Sequence, residues 1–323
     1  MKKNLLGRSG IAVTPVGMGV MKIGRTQLGL PVRAGAEIVG YALDSGINFL
    51  DTAEWYQTYE YIAEALRTRR SAAGFEMPVI ASKSLSGSYE GMANAIDEMR
   101  RALDLDVVDI FLLHEVRENP DFERRQGAWA CLNDLKAKGI VKAIGISTHY
   151  VDVSDLNARL PESDVLFPLI NKEGMGVREG GGFGTAASMA TAILRNHEAG
   201  KGVFAMKAFG GGNLTGRYIE CLDYVRGLPG VDSVMVGMSE RCEVDDLIAY
   251  AGGTIDRSYV PDISKKKIRI DKGDCEGCGA CVERCPNKAI RMEDAGTAVV
   301  DHGICLTCGY CAPACPVRAI ILY

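Results

Sequence analysis

Residues 78–114 read PVIASKSLSGSYEGMANAIDEMRRALDLDVVDIFLLH, and this stretch decides the fold. Its two ends, Pro78 to Lys83 and Val107 to Leu113, are short apolar runs rich in branched residues, as expected of strands buried on both faces. Between them Met92, Ile96, Met99 and Leu103 recur at helical spacing on one face, while Asp97, Arg100 and Arg101 point elsewhere. Strand, helix and strand at this length make one parallel unit. The rhythm continues in both directions. Candidate strands at Val13 to Val20, Ile47 to Asp51, Val141 to Ser147, Val165 to Ile170, Gly202 to Lys207 and Ser233 to Val236 bring the total to eight. Eight such units in roughly 250 residues predict an α/β chain wound as a (β/α)8 TIM barrel.

The pattern stops near Tyr259-Val260-Pro261, and Lys265-Lys266-Lys267 reads as a solvated linker. Two units are expected, residues 1–261 and 262–323. Of the 11 cysteines, Cys131, Cys221 and Cys242 lie singly in helix-like segments and read as small buried hydrophobes. The others form two copies of C-x-x-C-x-x-C-x-x-x-C-P: Cys275, Cys278, Cys281 and Cys285 recur 30 residues on as Cys305, Cys308, Cys311 and Cys315. Such short spacings bring three thiolates onto one tight loop, and the fourth ligand of each cluster comes from the other copy. Cys275, Cys278, Cys281 and Cys315 are therefore expected to hold one [4Fe-4S] cluster, and Cys305, Cys308, Cys311 and Cys285 a second. Zinc sites use separated C-x-x-C pairs, and disulfides belong to secreted chains. The tail resembles the bacterial two-[4Fe-4S] ferredoxins over about residues 265–323, which implies a small α+β unit that moves single electrons.

With 37 Lys plus Arg against 41 Asp plus Glu, the net charge of −4 gives no basis for a nucleic acid or an anionic membrane as partner. The opening Met1 to Leu6 lacks a small-x-small cleavage pattern, and no apolar run approaches the ~18 residues of a membrane span, so the cytoplasm is the expected location.

In a barrel of this kind chemistry sits at the C-terminal ends of the strands. Asp51, Tyr56, Lys83 and His114 stand there in order. A carbonyl oxygen that gains electron density needs a proton donor, and a tyrosine whose pKa is lowered by a lysine ammonium, itself held by an aspartate, can supply one. His114 would orient the oxygen. Within FLDTAEWY, VIASKS and FLLH these residues match, one by one, the tetrad of the aldo-keto reductases, which residues 1 to about 260 resemble. That resemblance implies a nicotinamide cofactor, NADP(H) or NAD(H), extended over the barrel mouth. It places Gly19, Val20 and Met21 near the ribose, Ser147 and Asn171 near the nicotinamide amide, Met206 where the family has its stacking tyrosine, the loop Lys207 to Gly212, Gly211 included, by the pyrophosphate, and Ser239 and Arg241 by the adenosine phosphate. Glu243 falls where NADP-preferring members carry arginine. The glycine run at residues 180–184 reads as a mobile loop over the mouth. The sum is an oxidoreductase for a small carbonyl or hydroxy compound, drawing on an external electron donor or acceptor such as a ferredoxin or flavoprotein. The alternative is a non-catalytic electron-transfer or redox-sensing protein whose barrel is a docking platform.

Overall fold

The computed structural model describes residues 1–264 and 266–323; Lys265 of the expected linker lies outside the described residues. Eight parallel strands form a closed barrel: β1 (Val16–Gly19), β2 (Phe49–Asp51), β3 (Val79–Ser84), β4 (Val108–Leu113), β5 (Val141–Thr148), β6 (Val165–Pro168), β7 (Gly202–Ala205) and β8 (Ser233–Gly237), with β8 bonded back to β1. The expected strand over residues 13–20 is split, because Pro15 has no N–H to give a ladder. Val13 instead joins the hairpin Asn4–Leu5 and Ala12–Val13, and Val20 opens a 3-10 turn.

Side chains from alternate positions fill the barrel. Phe49, Ala81, Ile110, Leu112, Phe167 and Phe204 are buried there, with Phe167 stacked on Phe204 at 4.3 Å, while Leu6, Ile11 and Val13 plug the N-terminal end. The helices pack outside. Helix Tyr89–Leu103 begins at Ser88, whose Oγ accepts from Gly91 N at 3.1 Å, and buries the Met92, Ile96, Met99 and Leu103 face read from sequence. Only the C-terminal end of the barrel is left to carry a site.

The last barrel helix is Arg241–Ala251. Beyond it two antiparallel pairs, Ile268–Ile270 with Ile320–Leu322 and Ile290–Met292 with Ala298–Val300, enclose a core of Ile268, Ile290, Ala319 and Ile320 together with the cysteines. This unit sits on the barrel mouth. Leu322 N donates to Gly211 O at 2.9 Å, Asn213 Nδ2 to Ile320 O at 2.6 Å, and the Arg269 guanidinium to the Gln27 and Thr26 carbonyls at 2.8 Å each. Gly212, at φ +89°, admits the approach: a Cβ there would lie 2.0 Å from Leu322 O. Lys266, read as part of a solvated linker, pairs instead with Glu243 at 3.3 Å. Within the glycine run at 180–184, Gly180 and Gly181 make the turn and Gly182–Phe183 the second strand of a small hairpin with Arg178–Glu179. Cys131 and Cys221 are buried as expected, but Cys242 is exposed. Among the described residues no helix is long and apolar enough to cross a membrane.

Candidate active site and cluster sites

Asp51 ends β2 and Lys83 lies in β3, so strand pairing sets their side chains close together. Lys83 Nζ reaches Asp51 Oδ1 at 2.6 Å and the Thr52 carbonyl at 2.7 Å, all three buried. Tyr56 closes the 3-10 turn Glu54–Tyr56. That loop is braced by the Thr52 and Thr58 hydroxyls at 2.6 Å and by Ser84 Oγ donating to Glu54 at 2.5 Å. Its phenol meets His114 Nε2, just past β4, at 3.4 Å, and Lys83 Nζ stands 4.8 Å from its ring centre. The four predicted residues therefore converge.

Their electrostatics differ from the expectation in one respect. Burial, then Asp51, pushes the Tyr56 phenol well above its ordinary pKa rather than toward neutrality. Burial, then Lys83 and Arg125, holds His114 well below the usual histidine range. Burial also drives the Lys83 amine down and the Asp51 carboxyl up, and their ion pair opposes both shifts. The site thus presents a protonated phenol beside a neutral imidazole, which is a hydrogen-bond donor set for a carbonyl oxygen.

These groups open into a cavity of about 540 Å³ lined by Tyr56, His114, Trp55, Ser147, His149 and Lys207, among others. Three lining residues come from the cysteine-bearing unit: Asp271, Gly273 and Asp274. Sequence gave no sign that the tail closes the mouth, because no local pattern records a contact across the chain. His149 was also missed, although it directly follows β5; burial pushes it down to about 3. Arg125, 6% exposed and absent from the expected set, donates to the carbonyls of His114 at 2.8 Å and Ser84 at 2.9 Å and so ties β3 to β4.

Of the residues expected to hold a nicotinamide, Met21, Ser147, Met206 and Lys207 line the cavity. Gly19, Val20, Asn171, Gly211, Ser239 and Arg241 do not. The Asn171 side chain is buried and bonds Met175 at 3.0 Å, and Arg241 lies over the Tyr41 ring. Glu243 is no bare carboxylate. Burial pushes it up, but Lys22 at 2.7 Å and Lys266 outweigh that and hold it at about 2. Leu322 on Gly211 and Lys266 on Glu243 bring the chain's own tail against two positions that the resemblance assigns to an extended dinucleotide.

The cysteines do fit clusters. One small cavity is lined by Cys275, Cys278, Cys281 and Cys315, and another by Cys285, Cys305, Cys308 and Cys311, the exchange of fourth ligands expected from the motif. All eight thiols are free. The two sites face differently. The first cysteine loop borders the barrel, where Arg117 Nη2 reaches Gly273 O at 3.5 Å and Arg178 lies 3.8 Å from Glu276. The second loop faces solvent, with Ile304, Leu306 and Tyr310 exposed.

A closed parallel barrel with a buried Asp, Tyr, Lys and His at its mouth, capped by a two-motif cysteine unit, defines a redox chain of two joined parts. The family models agree: the aldo/keto reductase family matches residues 15–227 and the 4Fe-4S dicluster domain residues 274–319, so the chain belongs to the aldo-keto reductases and carries an iron-sulfur domain. It is 36% identical over 109 residues to 2,5-diketo-D-gluconic acid reductase B of Corynebacterium sp., covering 33% of this chain and 38% of that one. It is 32% identical over 178 residues to 6-dehydroglucose reductase of Novosphingobium aromaticivorans, covering 49% and 55%. The match thus spans about half or less of these relatives. A solved aldo-keto reductase structure from Pseudomonas aeruginosa superposes with a TM-score of 0.65 at 25% identity, over 79% of this chain and 96% of that chain.

Proposed function

We propose that the chain interconverts a small carbonyl compound and its alcohol in the mouth cavity, with the electrons passing through two [4Fe-4S] clusters, one in each cysteine-lined cavity. The observation that carries this reading is the meeting of the Tyr56–His114 pair with Asp271, Gly273 and Asp274 in one cavity, directly before Cys275. Reducing a carbonyl to an alcohol takes two electrons and two protons. When bound, two clusters supply electrons one at a time and together hold the pair. Tyr56 gives one proton to the oxygen and is reprotonated from water in the open cavity, the carbon takes the second proton from that water, neutral His114 orients the oxygen, and Lys83 with Asp51 holds the phenol in place. The exposed Ile304, Leu306 and Tyr310 loop is where an external one-electron carrier would meet the outer cluster. Aldo-keto reductases use NADP(H), and the tail lies against Gly211 and Glu243, two positions on its expected path.

Protein purified without oxygen should contain about eight iron and eight acid-labile sulfide per chain. Zinc alone, or iron without sulfide, would remove the cluster assignment. In Cys315→Ser the cluster lined by Cys275, Cys278 and Cys281 should be impaired in its electron paramagnetic resonance signal while the other persists; the reverse loss would exchange the ligand sets. After reduction of the clusters, adding a true substrate anaerobically should reoxidise them. A substrate that turns over with NADPH while leaving reduced clusters untouched would take them out of the reaction.

A further inference from the structure

One cation in the cavity has no partner. Lys207 lines the same cavity as Tyr56 and His114, yet its Nζ makes no hydrogen bond or ion pair among the described residues. Asp274, Asp271 and Glu115 act on it through space, but the direct contacts of the surrounding carboxylates lie elsewhere. Glu115 holds Arg117 at 2.9 Å, Asp121 faces Arg124 at 3.4 Å and Arg125 at 3.7 Å, Asp274 binds Arg318 at 2.6 Å, and Asp271 accepts from Gly273 N at 3.0 Å. Only Glu118 remains, and it stands exposed.

The backbone adds a second observation. Lys207 sits at φ +64°, a conformation that residues with a Cβ seldom adopt. The same loop places glycine at Gly210, Gly211 and Gly212, all at positive φ. A lysine at the fourth such position is strained where glycine would not be, and strain of this kind collects where a side chain serves binding or chemistry. Burial pushes the amine down to about 8, so it is still mainly charged at neutral pH.

We infer that Lys207 anchors a carboxylate carried by the substrate, which is therefore a carbonyl or hydroxy compound bearing one negative charge. Lys207 is the lining cation that no carboxylate meets at ion-pair distance, which suits one incoming carboxylate, while five lining carboxylates against four cations disfavour a dianion such as a phosphate ester. The inference rests on the oxidoreductase reading for the reacting carbonyl, but the anchoring itself is a binding event and is tested as one.

Trp55 lines the cavity, so its fluorescence reports occupancy in the full, cluster-loaded chain. Pyruvate, 2-oxobutyrate and D-gluconate are titrated against methyl pyruvate, methyl 2-oxobutyrate and glucose, in the starting protein, Lys207→Met and Lys207→Gly. The acids should bind at least tenfold more tightly than their uncharged counterparts in the starting protein, and that preference should vanish in both variants. Lys207→Gly should also melt no lower than the starting protein, because glycine relieves the positive φ. Equal affinity for acid and uncharged partner, or a preference that survives in Lys207→Met, overturns the anchor. So does a Lys207→Gly variant that loses both its melting temperature and its affinity for the uncharged compounds, which would make Lys207 a structural residue. If the acid preference depends on Lys207 while Tyr56→Phe turns over unchanged, the anchor stands and the proposed chemistry falls.

Discussion

Tyr56→Phe is expected to lower turnover by about 10²–10⁴-fold, the range that a positioned proton donor contributes. The substitution deletes the hydroxyl and keeps the ring that packs edge-on to His114 at 5.5 Å, so folding and cluster content should be unchanged. The pH profile carries a second, independent part of the expectation. A phenol acts as a donor only while protonated, and burial with Asp51 raises its pKa well above 10.0. Donation is therefore intact at every pH below that raised value, so kcat at saturating substrate should show no alkaline limb from the phenol up to about pH 9, and loss of charge on Lys207 near 8 should appear in KM. His114, held low, is neutral across the same window and adds no limb near its usual value. Lys83→Met should also lose most activity, because it removes the cation that holds the Thr52 carbonyl ahead of the turn and leaves Asp51 buried without its partner; an uncompensated buried charge is costly, so its folding must be checked alongside. Full turnover in Tyr56→Phe, with iron content unchanged, would leave the tetrad without a role and favour the docking-platform alternative.

The difference between what the sequence disclosed and what it hid follows from the range of the interactions. Strand and helix periods are local, so the eight units and the buried face of Met92, Ile96, Met99 and Leu103 were legible in it, as was the cysteine exchange, because the motif repeats intact. Asp51, Tyr56, Lys83 and His114 were legible because strand ends converge in any such barrel. Their electrostatics were not. A lysine near a tyrosine suggests a lowered pKa, but desolvation, which no sequence pattern records, outweighs it here. The covering of Gly211 and Gly212 was equally hidden. Gly211 read as room for a pyrophosphate, and in the structure it makes room for the Arg318 guanidinium, as Gly212 does for the Leu322 backbone. Arg318, almost fully buried against Asp274 at 2.6 Å, carries no local pattern that marks it.

NADPH should bind the intact chain weakly and bind it at least tenfold more tightly once the tail is loosened. The groove past β7 is closed by bonds that can be removed singly: Asn213 Nδ2 to Ile320 O, and Arg269 to Gln27 O and Thr26 O. If a dinucleotide and the docked tail claim the same groove, the apparent dissociation constant is the intrinsic one divided by the fraction undocked. Each such bond contributes about 1 kcal/mol, somewhat more when the donor is charged. Combining Asn213→Ala with Arg269→Ala should thus cost docking roughly 2–3 kcal/mol, enough to raise a small undocked fraction by more than the tenfold that about 1.4 kcal/mol represents. Both substitutions lie away from the cysteines, so iron and sulfide should stay constant, and that constancy must be measured in the same samples. Tight NADPH binding by the unaltered chain, unmoved by the double substitution, would mean that tail and dinucleotide share the mouth without conflict. Tighter binding in the variant with clusters intact would mean that the barrel keeps its family's nicotinamide site beneath the tail, and that docking decides whether the cavity is served by clusters or by hydride.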